Sequence, residues 1–176
     1  LPDLLPFPRT QAALQRIADN IARTQDVLQR PIAIENPTHY LHIDGHDWAE
    51  TDFLAELVRR TGCSLLLDVN NVYISAHNLG TRATDYLDAF PVQAIAEIHL
   101  AGHHADPQLG DALLIDSHDA PVADAVWALY EHLIARTGPR PTLIERDDQL
   151  PPLAELLAER ERAHALLNAC EVSRCN

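Results

Sequence analysis

The sequence has little cysteine and no methionine. Its three cysteines, Cys63, Cys170 and Cys175, form no CxxC pair, so neither a disulfide framework nor a thiolate zinc site is expected. Cys63 opens an apolar run and is predicted to be a small buried side chain. Because the chain begins at Leu1 and contains no methionine, we expect it to start inside a longer gene product or after processing.

Long apolar runs and positive charge are also scarce. No run approaches the 18 or so residues of a membrane span, and the start has no secretory signal, which predicts a cytoplasmic protein. Lys and Arg number 13 against 26 Asp and Glu, for a formal net charge of −13. Such a surface repels phosphate groups, so neither nucleic acid nor an anionic membrane is an expected partner. The GxGxxG, P-loop and GxSxG signatures are absent.

The sequence does contain an alternation of short apolar segments and amphipathic ones. Apolar side chains at helical spacing predict helices, with Thr10 and Gly62 as end signals of the first two. Residues 69–71 are predicted to be a turn, and 101–119 a long loop rich in Gly, His and Asp. The predicted helices cover residues 10–29, 49–61, 81–90, 122–136 and 152–169, and the predicted strands 31–35, 64–68, 94–99 and 141–145.

Strands that are apolar throughout and separated by helices predict a parallel sheet of the α/β class. Four such strands could form a small open sheet or half of an eight-stranded barrel. A TIM-type (β/α)8 barrel needs roughly 250 residues, and this chain has 176. We therefore predict a single domain over residues 1–176 that carries the C-terminal part of a barrel, about four βα units.

Each predicted strand ends in a side chain that can bind a metal ion: Glu35, Asp68, His99 and Glu145. Ligand sites of parallel α/β proteins form at the carboxyl ends of the strands. One acidic strand end is unremarkable, because it often caps the next helix. Four together, one of them a histidine, predict a shared metal site in which these residues are both ligands and catalytic groups.

The loop after the third strand adds further candidates in His103, His104, Asp116 and His118. Asp116 and His118 are two residues apart and face the same side of an extended segment. Neutral imidazole and carboxylate together suit iron, zinc or manganese. The alternative is a solvated polar lid, and His104 is not expected to bind metal beside His103. The histidines at positions 39, 42, 46 and 77 are predicted to be surface residues.

Five stretches in chain order resemble a family first named as domain of unknown function 692, the multinuclear non-heme iron-dependent oxidases. The methanobactin biosynthetic oxidase is its best-known member. The resemblance implies a TIM-type barrel that holds two or three iron ions. The matching stretches are residues 33–37, 66–73, 97–103, 115–118 and 143–147.

The same resemblance implies roles for individual residues and for partners. Members of the family use dioxygen to modify cysteines of ribosomally made precursor peptides, often with a separate peptide-recruiting protein. The implied ligands are Glu35 as a bridging carboxylate, Asp68, His99 and Glu145 on one iron, Asn71, Asp116 and His118 on a neighbouring iron, and His103.

The chain departs from the family in lacking a preceding region of several strands that supplies two further histidines. We therefore expect it to hold about two of three irons, with a barrel open along one side. Open sheet edges predict a companion fragment or self-association as a homo-oligomer. We also expect little oxidase activity from the isolated chain.

Two other functions fit the same residues. A divalent-metal barrel enzyme of the sugar isomerase type also places Glu, Asp and His ligands at strand ends, and activity on a ketose or aldose without dioxygen would indicate it. A non-catalytic metal-binding fragment is the third hypothesis. It is favoured if Glu35→Ala and Asp68→Ala change neither metal content nor stability.

Overall fold

Four parallel strands form the sheet on which the remaining elements are built. The computed structural model describes residues 6–175, and side chains as far as residue 171. The strands follow the order β1-β2-β3-β6, with every pair parallel. The predicted parallel α/β fold is confirmed, whereas the closed barrel stays a prediction because β1 and β6 are edge strands among the described residues. The strands are β1 (Ala33–Glu35), β2 (Ser64–Asp68), β3 (Ile95–Ala101) and β6 (Thr142–Glu145).

Six α-helices of the described residues precede, connect or follow these strands. The Thr10 hydroxyl accepts a hydrogen bond from the Ala13 amide at 3.2 Å, and Gly62 has φ 68, so both predicted end signals are confirmed. None of the described helices is both long and apolar enough to cross a membrane. The helices are α1 (Gln11–Leu28), α2 (Glu50–Thr61), α3 (Val69–Leu79), α4 (Ala83–Ala89), α5 (Asp124–Thr137) and α6 (Leu153–Cys175).

The turn predicted at residues 69–71 is wrong, because α3 begins at Val69 directly after β2. The Asp68 carboxylate accepts a hydrogen bond from the Asn71 amide at 2.7 Å, so the last strand residue caps the helix. Consecutive asparagines favour turns, but they also favour a first helical turn when a capping carboxylate precedes them. The consequence is that Asn70 and Asn71 lie at the carboxyl end of the sheet.

The loop predicted over residues 101–119 contains an antiparallel hairpin of β4 (His104–Asp106) and β5 (Gly110–Ile115). β3 itself continues to Ala101, so His99 is two residues inside the strand and is not its last residue. The Asn78 side chain completes the hairpin edge: it donates to the Leu114 carbonyl at 3.0 Å and accepts from the Leu114 amide at 2.9 Å. The hairpin is thereby fixed to α3.

The two faces of the sheet have different surroundings. Leu65, Leu67 and Ile98 are fully buried in the core that the helices cover. On the opposite face Glu35 and Leu143 of the edge strands are exposed, whereas Asp68 and Ala101 of the inner strands are fully buried. Cys63 is buried, as predicted. The strand ends therefore carry their polar side chains on a face, called the open face below, that is open at the edge strands and closed around Asp68.

Candidate metal centre

The strand register brings the four predicted strand-end residues to one edge of the sheet. Asp68 pairs with His99 across β2 and β3. Glu35 pairs with Leu66, two residues before Asp68, and Glu145 pairs with Ala101, two residues after His99. Residues two apart in a strand share a face. All four side chains therefore lie on the open face, stepped diagonally from β1 to β6.

Two three-residue groups at this edge have the geometry of metal sites. Glu35, Asp68 and His99 form one group, and Asp68, His118 and Glu145 form the other. Within each group one ligand atom per residue lies within 4.8 Å of the others. Asp68 belongs to both groups, so it can bridge two ions. The resemblance instead implied Glu35 as the bridge, and His118 and Glu145 on different ions.

Three polar atoms of these groups are buried without a well-oriented hydrogen bond: Asp68 Oδ2, His99 Nδ1 and His118 Nε2. His118 Nε2 nevertheless lies 2.9 Å from Asp116 Oδ1. His99 Nδ1 lies 3.0 Å from Glu145 Oε1, yet without the orientation of a hydrogen bond. A buried polar atom without a partner costs roughly 1–3 kcal/mol, and a cation between such atoms removes that cost. Carboxylate and imidazole donors fit iron, zinc or manganese.

Charge interactions hold protons in the cluster when no metal is bound. Asp116 and then Glu145 raise the pKa of His118 to about 11. The imidazoles of His118 and then His99, whose Nδ1 atoms lie 3.1 Å and 3.0 Å from Glu145, lower the pKa of Glu145 to about 2. Burial raises the pKa of Asp68 to about 7. Metal ions compete with these protons for the same atoms, so metal binding must release protons.

A close approach of two backbone segments positions His118. Its amide donates to the Gly102 carbonyl at 3.1 Å, and its φ of 51 is unusual for a residue other than glycine. A Cβ on Gly102 would lie 1.9 Å from the Ala120 carbonyl oxygen, so only glycine fits there. The His118 Nδ1 atom then lies 3.1 Å from Glu145 and 3.3 Å from Asp147.

Thr38 joins two further predicted ligands, and no sequence pattern had indicated it. Its hydroxyl lies 2.6 Å from Asn71 Oδ1 and 2.9 Å from Asp116 Oδ2. One hydroxyl proton can serve only one of these oxygens at a time. The other oxygen keeps a free lone pair beside the two groups. Asn71 is oriented by its own donation to the Asn36 carbonyl at 3.0 Å.

Asn36 was also missed, although its place between a strand and a proline is a recognisable signal. Its side chain donates to the Asp68 carbonyl at 3.0 Å and accepts from the Asp68 amide at 2.8 Å. It is 1% exposed. The amide thus continues the β1–β2 pairing beyond the end of β1 and fixes the backbone of the shared carboxylate.

His103 is not brought into either group. Its Nδ1 atom lies 2.8 Å from Asn70 Oδ1, and its ring packs on Tyr73 with centroids 5.1 Å apart. That it binds metal stays a prediction. His104 pairs with Asp119 and is 42% exposed at its side chain. The surface position predicted for His39 is wrong, because its side chain is only 17% exposed and contacts Glu50.

Comparison with known proteins gives one family. Residues 1–168 match the family described as RiPP precursor modification enzyme MbnB/TglH/ChrH. A UPF0276 protein of Caulobacter sp. (strain K31) is 64% identical over 173 residues, which cover 98% of this chain and 62% of that protein. UPF0276 proteins of Bordetella bronchiseptica and Rhizobium meliloti are 54% and 52% identical, each over 94% of this chain. The chain spans 57% and 54% of those two relatives.

Proposed function

We propose, on the premise that the chain belongs to the MbnB/TglH/ChrH family of RiPP precursor modification enzymes, that its metal centre is a multinuclear iron site that oxidises cysteines of a precursor peptide. Membership in the family supports an enzyme that acts on a peptide. Iron, dioxygen and the choice of cysteine are our proposal, and so is a separate peptide-recruiting protein. The chain spans 62% or less of these relatives, so the activity proposed is that of the whole protein.

The observation that carries the proposal is the pair of groups that share Asp68. Glu35 and His99 would hold one ion with it, and His118 and Glu145 the other. Asn71 and Asp116 would complete the second ion, and His103 keeps its predicted place as a further ligand until metal analysis tests it. Bound iron supplies the redox chemistry that dioxygen requires and a site for a substrate thiolate.

Side chains of the protein orient the metal-binding imidazoles and provide a route for displaced protons. The Glu145 carboxylate lies about 3 Å from both His99 and His118, which fixes the planes of the two rings. Asp147 lies 3.3 Å from His118 and its side chain is 75% exposed. A proton displaced from His118 Nδ1 can therefore pass to Asp147 and on to solvent.

The open face of the sheet supplies the approach for a peptide. Glu35 is exposed there, and Glu97 is 41% exposed beside His99. A substrate reaching this face meets the two groups from the side opposite the helix-covered core.

The full-length protein, prepared with iron under anaerobic conditions, tests the proposal. We expect oxygen-dependent oxidation of a cysteine-containing precursor peptide in mass spectra, and no product from the same peptide with serine in place of cysteine. Asp68→Asn should abolish the reaction. Glu97→Gln should not, because Glu97 lies 3.8 Å from His99 and outside both groups.

Three outcomes would contradict the proposal. Exclusive zinc occupancy of an iron-supplied preparation would remove the redox chemistry. Interconversion of a ketose and an aldose without dioxygen would favour the isomerase hypothesis. Unchanged metal content in Glu35→Ala and Asp68→Ala would favour a fragment without a metal-dependent activity.

A further inference from the structure

Glu50, the first residue of α2, is a largely buried carboxylate that lies outside both metal groups. Its side chain is 11% exposed, and it accepts hydrogen bonds from Tyr86 Oη of α4 at 2.8 Å, from Arg9 Nη1 at 3.2 Å and from His39 Nε2. Burial by itself would raise the pKa of Glu50, but His39, and after it the other two donors, lower that pKa overall. Glu50 is therefore a charged group whose two oxygens both have partners.

His39 is the middle residue of three that we call the 38–40 segment. The residues on either side of it contact the same aspartate. The Thr38 hydroxyl lies 2.9 Å from Asp116 Oδ2, and Tyr40 Oη accepts a hydrogen bond from the Asp116 amide at 3.1 Å. The 38–40 segment therefore holds both the carboxylate and the backbone of Asp116, although it lies far away in the chain.

A cavity of about 270 Å³ adjoins this segment on the side of α3 and α4, and its lining includes His39, Glu50 and Asn71. Such a space removes the close contacts that would otherwise fix the neighbouring side chains. Hydrogen bonds are present instead. Ser75 and Asn78 of α3 bond the backbone of His39, with Ser75 Oγ 2.9 Å from its amide nitrogen, and the His39 ring donates to Glu50. On that side polar contacts hold the segment, and Glu50 supplies the one to its central side chain.

We propose that Glu50 is a positioning residue of the metal centre, which keeps Asp116 in place through the 38–40 segment. The inference rests on the proposed function in taking the groups that share Asp68 as a site for two ions. Glu50 touches neither ion. It acts through His39, and the hydroxyls of Thr38 and Tyr40 transmit its effect to Asp116.

The two metal groups depend on Asp116 unequally. Asp116 Oδ1 lies 2.9 Å from Nε2 of His118, which belongs to only one of the groups. Glu35 and His99, in the other group, are positioned by the pairing of β1 and β3 with β2. Loss of Glu50 should therefore weaken one ion site and leave the other unchanged.

Zinc titration calorimetry of the metal-free full-length protein tests the inference without any measurement of activity. Glu50→Ala should lower the affinity for one zinc equivalent by about 10–100-fold, the usual effect of removing a group that supports the ligands, and leave another equivalent as in the wild type. Glu56→Ala is the matched control and should titrate as the wild type. Glu56 also lies on α2 and also accepts from arginine, but its partners are Arg59 and Arg60 of the same helix.

His39→Ala breaks the link to the segment and leaves Glu50 paired with its other two donors. We expect the same selective loss of zinc affinity as in Glu50→Ala, and the double variant should lose no more than either single variant, because both act along one path. In the metal-free protein each single variant should accelerate hydrogen exchange of the Asp116 amide by about 10-fold, the usual contribution of one hydrogen bond, because that amide donates to Tyr40. Exchange in β2 should stay as in the wild type.

The outcomes distinguish this inference from the proposed function. Equal weakening of every zinc site, or faster exchange in β2 as well, would make Glu50 a general support of the fold and overturn the inference. Unchanged zinc affinity in Glu50→Ala and His39→Ala, or losses that multiply in the double variant, would also overturn it. If Glu50→Ala does not fold, His39→Ala decides alone. A wild type that binds iron but leaves peptide cysteine unmodified would contradict the proposed function, whereas zinc titration and exchange at Asp116 would still decide the role of Glu50.

Discussion

The two carboxylate oxygens of Asp68 have different surroundings. Oδ1 caps α3 by accepting from the Asn71 amide, while Oδ2 is buried with no hydrogen-bond partner. Burial raises the pKa of this carboxyl from 3.8 to about 7. The folded metal-free protein therefore prefers protonated Asp68, and a bound cation reverses that preference.

Asp68→Asn should stabilise the metal-free protein at pH 8 and destabilise it relative to wild type when metal is present. A carboxyl whose pKa is raised on folding loses stability as pH rises from about 4 to about 7. Asparagine keeps the helix cap and has no charge, so its free energy of unfolding at pH 8 should be higher by roughly 1–3 kcal/mol. Denaturant unfolding of both proteins at pH 4 and pH 8 measures this difference in the free energy of unfolding.

The control is Asp68→Ala, which removes the charge and also the helix cap. At pH 8 its free energy of unfolding should rise by less than that of Asp68→Asn, because loss of a helix cap costs about 1 kcal/mol. A metal-free Asp68→Asn protein that is less stable than wild type at pH 8 would show that the carboxylate has a partner within the protein.

Thr38→Val should weaken metal binding by about 10–100-fold, the usual effect of removing a group that orients ligands. Valine keeps the shape of threonine but loses the hydroxyl that lies between Asn71 and Asp116. Thr38→Ser retains the hydroxyl and should bind metal like the wild type. Titration calorimetry with a divalent ion measures both, and equal affinities for the two variants would contradict this role of the hydroxyl.

At the scale of elements, two side chains of α3 attach the β4–β5 hairpin: Asn78, and His77, whose Nε2 atom lies 2.7 Å from the Asp111 carbonyl oxygen. Asn78 donates to and accepts from the backbone of Leu114, as a neighbouring strand would. The segment that follows β5 carries Asp116 and His118. The attachment of the hairpin therefore bears on the position of two predicted ligands.

Asn78→Ala should cost about 1–3 kcal/mol of local stability, the worth of two hydrogen bonds with a partly buried backbone group left unpaired. Hydrogen exchange should accelerate in residues 104–115 and remain unchanged in β2 and β3. Gln108→Ala, at the exposed tip of the same hairpin, is the control and should leave exchange as in wild type. If residues 104–115 remain protected from hydrogen exchange in Asn78→Ala, then contacts other than those of Asn78 hold the hairpin.

At the scale of the whole molecule, the sheet ends in two edge strands and has one open face. β1 and β6 each pair with a single neighbour among the described strands. Leu143 of β6 is 42% exposed on the open face. Unpaired edges beside apolar side chains favour association with another chain.

We expect the isolated 176-residue chain to self-associate as its concentration rises, which light scattering after gel filtration measures. Leu143→Lys should reduce the association, because it adds a charge to the open face. Leu150→Lys is the control, since Leu150 is 72% exposed outside the sheet. A monomer at every concentration would contradict the prediction.

Local patterns were enough to locate the four strands of the main sheet and five of the helices, but they missed α3 and the β4–β5 hairpin. Apolar segments followed by Glu35, Asp68 and Glu145 predicted β1, β2 and β6, because a buried parallel strand is apolar along its length and its ligands follow at its carboxyl end. The first residues of α3 were assigned wrongly, because asparagines after an aspartate favour both a turn and a capped helix.

The sequence by itself determined which chemical groups reach the edge of the sheet, since the positions of the strands and the alternation of their side chains follow from local hydrophobicity. Only the tertiary structure decided which of them meet. His118 joins Asp68 and Glu145 because Gly102 lets two backbone segments approach closely, and Thr38 joins Asn71 and Asp116 across 78 positions of chain. Such contacts depend on packing between distant segments, which no local periodicity records.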